Sequence, residues 1–314
     1  MDTIEVTRFG GPEVLRAVAA PEPVADAGEA LVAVSVAGVL WLDTIIRRGT
    51  AGERFAVDLP WRPGKGAAGV VTTTGPGVDP RWIGRRVLAD VARGAYAEVV
   101  AAPVDGLVPI PDGVPDADAA ALLHDGRTAL ALLGATPVEA GATALVLPAA
   151  GGLGSLLVQL LRTRGVTVVG AAHGPAKRAV VRDLGADHVV DPGEEGWTRD
   201  VPPVDVVFDG VGGAAGTAAL GLLRRGGRFS GYGMAAGAPT DPASAPEGVE
   251  AVGMAQLGTF LAGAHERAVA VLAEAAAGRL RAVIGQVDPL GRAADAHAAL
   301  EDRRVAGKAL LVTA

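Results

Sequence analysis

The chain has 314 residues, of which half are hydrophobic and a fifth are charged. This length predicts two domains, each with its own core. A formal net charge of −7 argues against a nucleic-acid or anionic-membrane surface, because such surfaces concentrate Lys and Arg. The absence of Cys excludes disulfides, iron–sulfur clusters, thiolate zinc sites and a cysteine nucleophile.

Up to about residue 110, short β-rich segments alternate with Gly and Pro. This pattern predicts strands at 30–36, 69–72, 86–89 and 96–100, and hence a β-barrel-like domain. An Ala- and Leu-rich segment, 116–133, begins after Pro and Asp and predicts a helix near the end of that domain.

In the next part of the chain, apolar strands alternate with single helices, which is typical of a doubly wound parallel sheet covered on both faces. The predicted elements are strands at 144–147, 166–169, 188–190 and 204–209 and helices at 154–164 and 176–184.

The pattern changes again near residue 260, and we expect the tail to return to the first domain. The tail elements are a helix at 265–277, a strand around Val287, a helix at 293–301 and a strand at 309–312. We therefore predict one domain of residues 1–117 and 260–314 and a second of residues 118–259.

The first five residues have neither the basic start nor the apolar run of a signal peptide. No apolar stretch approaches the roughly 18 to 20 residues that a membrane-spanning helix needs. We therefore expect a cytoplasmic protein with a small-molecule partner and no nucleic-acid or membrane partner.

A glycine-rich loop lies between a predicted strand and a predicted helix, as a dinucleotide fingerprint requires. Gly151 would let the backbone approach a pyrophosphate, and Gly154 would let the helix pack closely on the strand. The free N–H groups at the helix N-terminus would bind the phosphates. An ordinary glycine-rich turn is the alternative, but the strand–loop–helix context favours a cofactor. The loop consists of Ala149, Ala150, Gly151, Gly152, Leu153 and Gly154.

The end of the following strand indicates which dinucleotide binds. An NAD site places Asp or Glu about 20 residues after the loop. Here residues 171–174 are Ala-Ala-His-Gly, so small residues leave room for a 2′-phosphate. Lys177 and Arg178 would supply positive charge, although both could instead lie on a solvated helix face. We predict NADPH, with His173, Lys177 and Arg178 at its adenosine end.

Other polar residues give weaker signals. Asp43 is expected to pair with Arg47, one helical turn later. His124 and Asp125 are adjacent, so on a helix their side chains point apart, and no Ser lies in a nucleophile elbow nearby. The five His show no i, i+4 pair for a metal ion. We therefore predict neither hydrolase chemistry nor a metal site.

Several motifs together carry a family resemblance along nearly the whole chain. They are 8–15, 43–49, 63–64 with 69–71, 94–98, 149–154 with Gln159, 184–187, 209–213, 226–229 and 307–308. In these motifs the chain resembles the zinc-independent quinone oxidoreductases of the medium-chain dehydrogenase/reductase superfamily.

This resemblance implies a GroES-like catalytic domain built from both chain ends, a Rossmann domain that binds NADPH, and a homodimer. It also implies that Thr128, Val211, Tyr232 and Gly233 lie near the nicotinamide half of the cofactor. Two of these residues have an alternative role: Thr128 could cap or back-bond its helix, and Tyr232 could belong to the core.

The chain departs from its relatives at three positions. Zinc-dependent relatives need a Cys in the first cleft loop and a His-Glu pair after Pro-Gly, where this chain has Leu40 and Lys65-Gly66. A catalytic zinc is therefore not expected. Quinone reductases often carry Asn where Leu40 stands, so a polar contact to an acceptor carbonyl is missing. They also often carry Tyr where Pro192 stands.

Hydride transfer needs a protein that holds the acceptor, excludes water and stabilises the developing oxyanion. Leu40, Trp41 and Trp61 would form a flat apolar pocket for a conjugated ring or enone, although Trp61 could equally be plain core. Lys65 is a candidate catalytic residue, because an ammonium in an apolar cleft could bind an oxyanion or donate a proton. The alternative for Lys65 is an ordinary surface loop residue.

Three functions fit these observations. The first is an NADPH-dependent, metal-free reductase of quinones or activated alkenes, with the proton supplied by solvent. The second is an enoyl reductase that tailors a polyketide-like intermediate in a biosynthetic pathway. The third is an NADPH-binding sensor without turnover.

Overall fold

The computed structural model describes residues 1–313 and every side chain in that range except that of Arg54. The described chain forms two compact units. The first contains Met1–His124 and the segment that begins at Ala268, and the second is Asp125–Arg267. No helix within residues 1–313 is both long enough and apolar enough to cross a membrane.

The strands alternate with helices over most of the chain. In chain order the strands are β1 (Asp2–Glu5), β2 (Arg16–Ala19), β3 (Glu29–Val39), β4 (Gly66–Thr74), β5 (Arg86–Asp90), β6 (Val99–Pro103), β7 (Leu107–Pro109), β8 (Thr143–Leu147), β9 (Thr167–Ala171), β10 (His188–Val190), β11 (Val204–Asp209), β12 (Leu223–Gly231), β13 (Glu250–Val252), β14 (Ile284–Pro289) and β15 (Lys308–Val312). The α-helices are α1 (Trp41–Arg47), α2 (Asp116–Ala135), α3 (Gly152–Arg162), α4 (Gly174–Asp183), α5 (Gly213–Leu220), α6 (Ala264–Ala276) and α7 (Ala293–Glu301).

The first unit is built on a seven-stranded sheet in the order β14-β15-β3-β4-β5-β7, with β6 paired to β3. Irregularities in the register of β3 with β4 bend this long strand, so that it also pairs with β6. The tail strand β15 pairs antiparallel with β3, so the tail contributes to the sheet of the first unit. Five residues of β3 face one continuous apolar core, namely Ala30, Val32, Val34, Ala37 and Val39.

One predicted strand in this unit begins too early. The sequence predicts a strand at 96–100, whereas β6 begins at Val99. The reason is that the backbone of Tyr96 forms hydrogen bonds with residues other than those of β3. Its N–H donates to Pro63 O, and its carbonyl accepts from Ile4 N. These two hydrogen bonds hold Tyr96 outside the ladder, and its side chain is fully buried.

The second unit contains a six-stranded sheet in the order β10-β9-β8-β11-β12-β13. Every neighbouring pair in it is parallel, as the alternation of strands and helices predicted. Chain order reverses between β8 and β11, and ligands of such sheets bind outside the carboxyl ends of the strands at that reversal. A cofactor site is therefore expected in the loops that follow β8 and β11.

Candidate cofactor and acceptor sites

The glycine-rich loop joins the carboxyl end of β8 to the start of α3. A Cβ atom at Gly154 would lie 1.9 Å from the carbonyl oxygen of Pro148, so helix and strand approach each other as only Gly allows. A Cβ at Gly151 would instead lie 3.5 Å from its nearest neighbour, the Pro148 side chain, and the backbone there is extended. The space beside Gly151 is thus free for a ligand.

This loop fits the pyrophosphate of a dinucleotide. Gly151 is the N-cap of α3 and no side chain caps that helix, so its first N–H groups are available to an anion. Ala149 N donates to Ala171 O at 2.8 Å, which ties the loop to β9. Ala150 is buried, and Gly152 and Leu153 form the first turn of α3.

The end of β9 carries His173 as the N-cap of α4. Its Nδ1 lies 3.1 Å from Oδ1 of Asp191, which follows the neighbouring strand β10. Asp191 also accepts hydrogen bonds from the backbone N–H groups of Gly174 and Gly193 at 2.7 and 2.9 Å. Burial acts to raise the pKa of Asp191, but these two amides and His173 outweigh it and hold that pKa below its usual range. The sequence pattern had not singled out this carboxylate.

Lys177 and Arg178 lie on the first turns of α4, and both are half-buried. Nη1 of Arg178 is 3.3 Å from Glu194. Its buried Nε makes no hydrogen bond to any residue that the structure describes. A guanidinium with an unused buried donor beside an ammonium fits a phosphate group.

The loop after β11 is organised by Asp209, a buried residue that the sequence pattern did not reveal as functional. Its Oδ1 accepts the N–H groups of Val211 and Gly212 at 2.8 and 2.9 Å, and its Oδ2 accepts the Thr240 hydroxyl at 2.6 Å. Asp209 therefore fixes the backbone at Val211, one of the residues predicted to contact the nicotinamide.

Tyr232 and Gly233 follow the neighbouring strand β12. The Tyr232 ring lies so close to Gly210 that a Cβ there would be 2.4 Å from its Cε2. Its hydroxyl is 3.5 Å from Leu147 O, at the end of β8. Burial raises the pKa of Tyr232, and the charges of Asp209 and Asp125 add to the effect. Tyr232 therefore lies at the switch point of the sheet, beside the glycine-rich loop. Thr128 is half-buried on α2.

In the first unit, Leu40 and Trp41 form the turn that begins α1, and both are half-buried. The predicted Asp43–Arg47 pair is wrong. Asp43 accepts hydrogen bonds from Leu40 N and the Tyr96 hydroxyl, at 3.1 and 2.9 Å. Arg47 is buried and forms its ion pair with Glu301 of α7. Because α7 packs on α1, a carboxylate from a distant part of the sequence reaches Arg47, whereas Asp43 turns back to cap its own helix.

Trp61 and Lys65 line one cavity of about 190 Å³ in this unit. Trp61 is 2% exposed and its backbone pairs with Val6, so it belongs to the core as well as to the cavity wall. Lys65 donates from Nζ to Ala92 O at 2.9 Å.

No group of three or more His, Asp or Glu side chains suited to a metal ion is found in the part of the chain that the structure describes. Nε2 of His124 lies 3.4 Å from Oδ1 of Asp90. His297 is fully buried beside Tyr96, and burial, reinforced by the Arg47 charge, lowers the pKa of His297 to about 3.

Two family models and several known proteins match the chain. Residues 26–112 match the family model for the alcohol dehydrogenase GroES-like domain, and residues 184–311 match the model for zinc-binding dehydrogenases. A structure of Escherichia coli quinone oxidoreductase complexed with NADPH superposes with a TM-score of 0.90 at 28% identity, covering 99% of this chain and 100% of that one.

Two sequence relatives differ in how much of their length this chain covers. The quinone oxidoreductase of Sus scrofa is 31% identical over 99% of this chain and 98% of its own. A mycocerosic acid synthase-like polyketide synthase of Mycobacterium tuberculosis is 33% identical over 64% of this chain but only 10% of its own length. With its GroES-like and Rossmann domains, the chain belongs to the quinone oxidoreductase-like family of the medium-chain dehydrogenase/reductase superfamily.

Proposed function

We propose that this protein is an NADPH-dependent oxidoreductase that reduces a quinone or an activated alkene, such as an enone or enal, by hydride transfer. The observation that carries the proposal is the loop at the switch point of the parallel sheet. There the close packing of Gly154 on Pro148 and the uncapped start of α3 leave a backbone cradle for a pyrophosphate. Family membership and the NADPH complex of the Escherichia coli relative support the same cofactor.

Within the second unit, the phosphate loop would hold the pyrophosphate through backbone N–H groups. His173, Lys177 and Arg178 would hold the adenosine end, where the carboxylate of Asp191 already binds two backbone N–H groups and His173. Asp191 is therefore engaged within the protein, and the cations on α4 favour a 2′-phosphate.

The nicotinamide end would lie at Thr128, Val211, Tyr232 and Gly233. Asp209 positions this end, because it fixes the backbone N–H groups of the loop after β11. When bound, NADPH supplies a hydride to an electron-poor carbon. The residues of this chain would hold the two reactants in place, and the proton would come from solvent.

The first unit would supply the acceptor site, with Leu40, Trp41 and Trp61 as apolar walls and Lys65 as a cation. The two compact units support the predicted division of the chain into a catalytic domain, 1–117 with 260–314, and a cofactor domain, 118–259. We also propose a homodimer that acts in the cytoplasm, which sedimentation of the purified chain and fractionation of its host cells would test.

The experiment is to follow oxidation of NADPH by the purified chain in the presence of a chelator. The panel of acceptors should contain a benzoquinone, an enone, an enal and an enoyl thioester. We expect turnover of the quinone or enone to exceed that of the thioester. Tight NADPH binding without oxidation by any acceptor would contradict the proposal and favour a sensor.

Preference for the thioester would favour the enoyl reductase instead. That alternative has less support, because this chain covers only a small part of the polyketide synthase that it matches.

A further inference from the structure

The cavity in the first unit combines apolar walls with positive charge. Ile46, Val57 and Trp61 form apolar parts of its wall, and Lys65 and Arg93 also line it. None of the described residues that line the cavity carries a carboxylate. The chain as a whole has a net charge of −7, so this positively charged lining differs from the overall charge of the protein.

Both cations keep hydrogen-bond donors that a ligand can use. Lys65 spends one of its three N–H donors on Ala92 O. Arg93 is exposed and forms no ion pair or hydrogen bond with a residue that the structure describes. Arg62, in contrast, lies 3.4 Å from Glu5 in an ion pair. Both cations at the cavity can therefore form hydrogen bonds with an anion from outside.

The buried carboxylate of Asp43 forms no ion pair with Lys65. Asp43 has no exposed surface, and its Oδ2 is held by Leu40 N and the Tyr96 hydroxyl. Its charge interacts with Lys65 electrostatically, but Lys65 Nζ makes its hydrogen bond to Ala92 rather than to Asp43.

We propose that this cavity binds the carboxylate of an acidic acceptor, so that the natural substrate is a small conjugated oxo acid. Lys65 and Arg93 would hold the carboxylate, because guanidinium and ammonium groups form charge-assisted hydrogen bonds with it. The conjugated, apolar part of the acceptor would pack against Trp61. The cavity has room for about one substituted ring or a short chain. This inference rests on the proposed function and narrows its substrate class.

The reaction balances with NADPH and one proton. The carbon β to the ketone receives the hydride, and the π electrons of the carbon–carbon double bond move to the carbonyl oxygen as an enolate. Water then protonates the α carbon, which leaves a saturated ketone, NADP⁺ and hydroxide. The carboxylate is unchanged, since it serves only in binding.

The test compares an acid with its neutral ester. For binding, the full chain is titrated by calorimetry with 3-benzoylpropionate, which has no double bond to reduce, and with its methyl ester. For turnover, 3-benzoylacrylate and its methyl ester are compared with NADPH present. The variants are Lys65→Met and Arg93→Gln. Arg16→Gln is the control, because it removes the same charge from an exposed position of the same unit.

We expect the parent to bind the acid at least about tenfold more tightly than the ester, and each cavity variant to lower this ratio about tenfold. Arg16→Gln should keep the ratio of the parent. Equal binding of acid and ester by the parent, or an unchanged ratio in both cavity variants, would overturn the inference. If neutral quinones are still reduced in that case, the proposed function stands. If acid binding depends on Lys65 and Arg93 but no acceptor oxidises NADPH, the proposed function fails instead.

Discussion

The hydroxyl of Tyr96 donates a hydrogen bond of 2.9 Å to Oδ2 of Asp43 and lies 3.2 Å from Nε2 of His297. Since the tyrosine proton points to Asp43, the neutral imidazole donates its Nε2 proton to the hydroxyl oxygen. All three side chains have no exposed surface. Tyr96 thus joins α1 to α7 through two buried titratable groups whose charges depend on desolvation.

Replacing Tyr96 by Phe should destabilise the first unit. The change leaves Asp43 and His297 without a shared partner inside the core, and an unsatisfied buried polar group costs about 1 to 3 kcal/mol. Denaturant unfolding measures the loss. Tyr232→Phe is the matched control, because the hydroxyl of Tyr232 lies 3.5 Å from its acceptor, and we expect a smaller loss. Equal losses in the two variants would contradict the role assigned to the Tyr96 hydroxyl.

Asp43 and His297 should give opposite pH dependences of stability. Burial raises the pKa of Asp43 to about 6, against the hydrogen bonds from Leu40 and Tyr96 that act to lower it. The folded chain therefore holds a proton that the unfolded chain loses near pH 3.8, and this contribution to stability falls as pH rises from there to about 6. The pKa of His297 falls from 6.5 to about 3, so its contribution rises with pH across that range.

The variants Asp43→Asn and His297→Gln separate these contributions. Between about pH 4 and 6, the free energy of unfolding of Asp43→Asn should rise more steeply with pH than that of the parent. That of His297→Gln should rise less steeply or fall, and each change is at most about 1.4 kcal/mol per pH unit. Urea titrations at several pH values measure these slopes. Parallel curves for all three proteins would show that neither group titrates as described.

Two glycines of the phosphate loop should respond differently to replacement by Ala. Gly154→Ala places a methyl group 1.9 Å from Pro148 O, so the second unit must distort or unfold. Gly151→Ala meets nothing closer than 3.5 Å, and the fold should survive while the methyl group obstructs the pyrophosphate. Thermal unfolding and NADPH titration of both variants test this. A stable Gly151→Ala protein with the NADPH affinity of the parent would contradict the proposed binding loop.

Lys177→Ala should weaken NADPH more than NADH. Loss of a charge-assisted contact to the 2′-phosphate corresponds to about tenfold in the dissociation constant, whereas NADH carries only an uncharged hydroxyl at that place. Fluorescence titration with the two cofactors measures the difference. Arg182→Ala, in the last turn of the same helix, is the control. An equal loss for both cofactors would exclude a contact between Lys177 and the phosphate.

The parallel sheet was readable from the sequence because apolar strands such as β8 and β9 are joined by a single helix, here α3. Strands β1, β2, β7, β12 and β13 and helix α5 were not predicted, and α5 and β13 show why. Helix α5, Gly213–Leu220, consists of Gly, Ala, Thr and Leu and has no polar face. Strand β13 has only three residues and lies at the sheet edge. In both cases tertiary contacts, rather than local preference, specify the element.

The sequence predicted the candidate site only where the spacing of residues along the chain itself indicates a ligand. The loop 149–154 has its fixed place between strand and helix, and the lack of an acid directly after β9 favoured NADPH. The roles of Asp191 and Asp209 could not be predicted from the sequence. Each carboxylate accepts hydrogen bonds from backbone N–H groups that come close to it only in the folded chain. The partner of Asp43 could not be found by helical spacing either, because Tyr96 is 53 residues away along the chain.

The position of β15 in the sheet of the first unit has a consequence for protein synthesis. This strand, Lys308–Val312, lies between β14 and β3, so β3 lacks one neighbour until the ribosome has made β15. The second unit is contiguous in sequence and its strands are complete far earlier. We therefore expect the nascent chain to acquire a protease-resistant cofactor-binding unit first. The sheet of the first unit would be completed only after β15 has been synthesised.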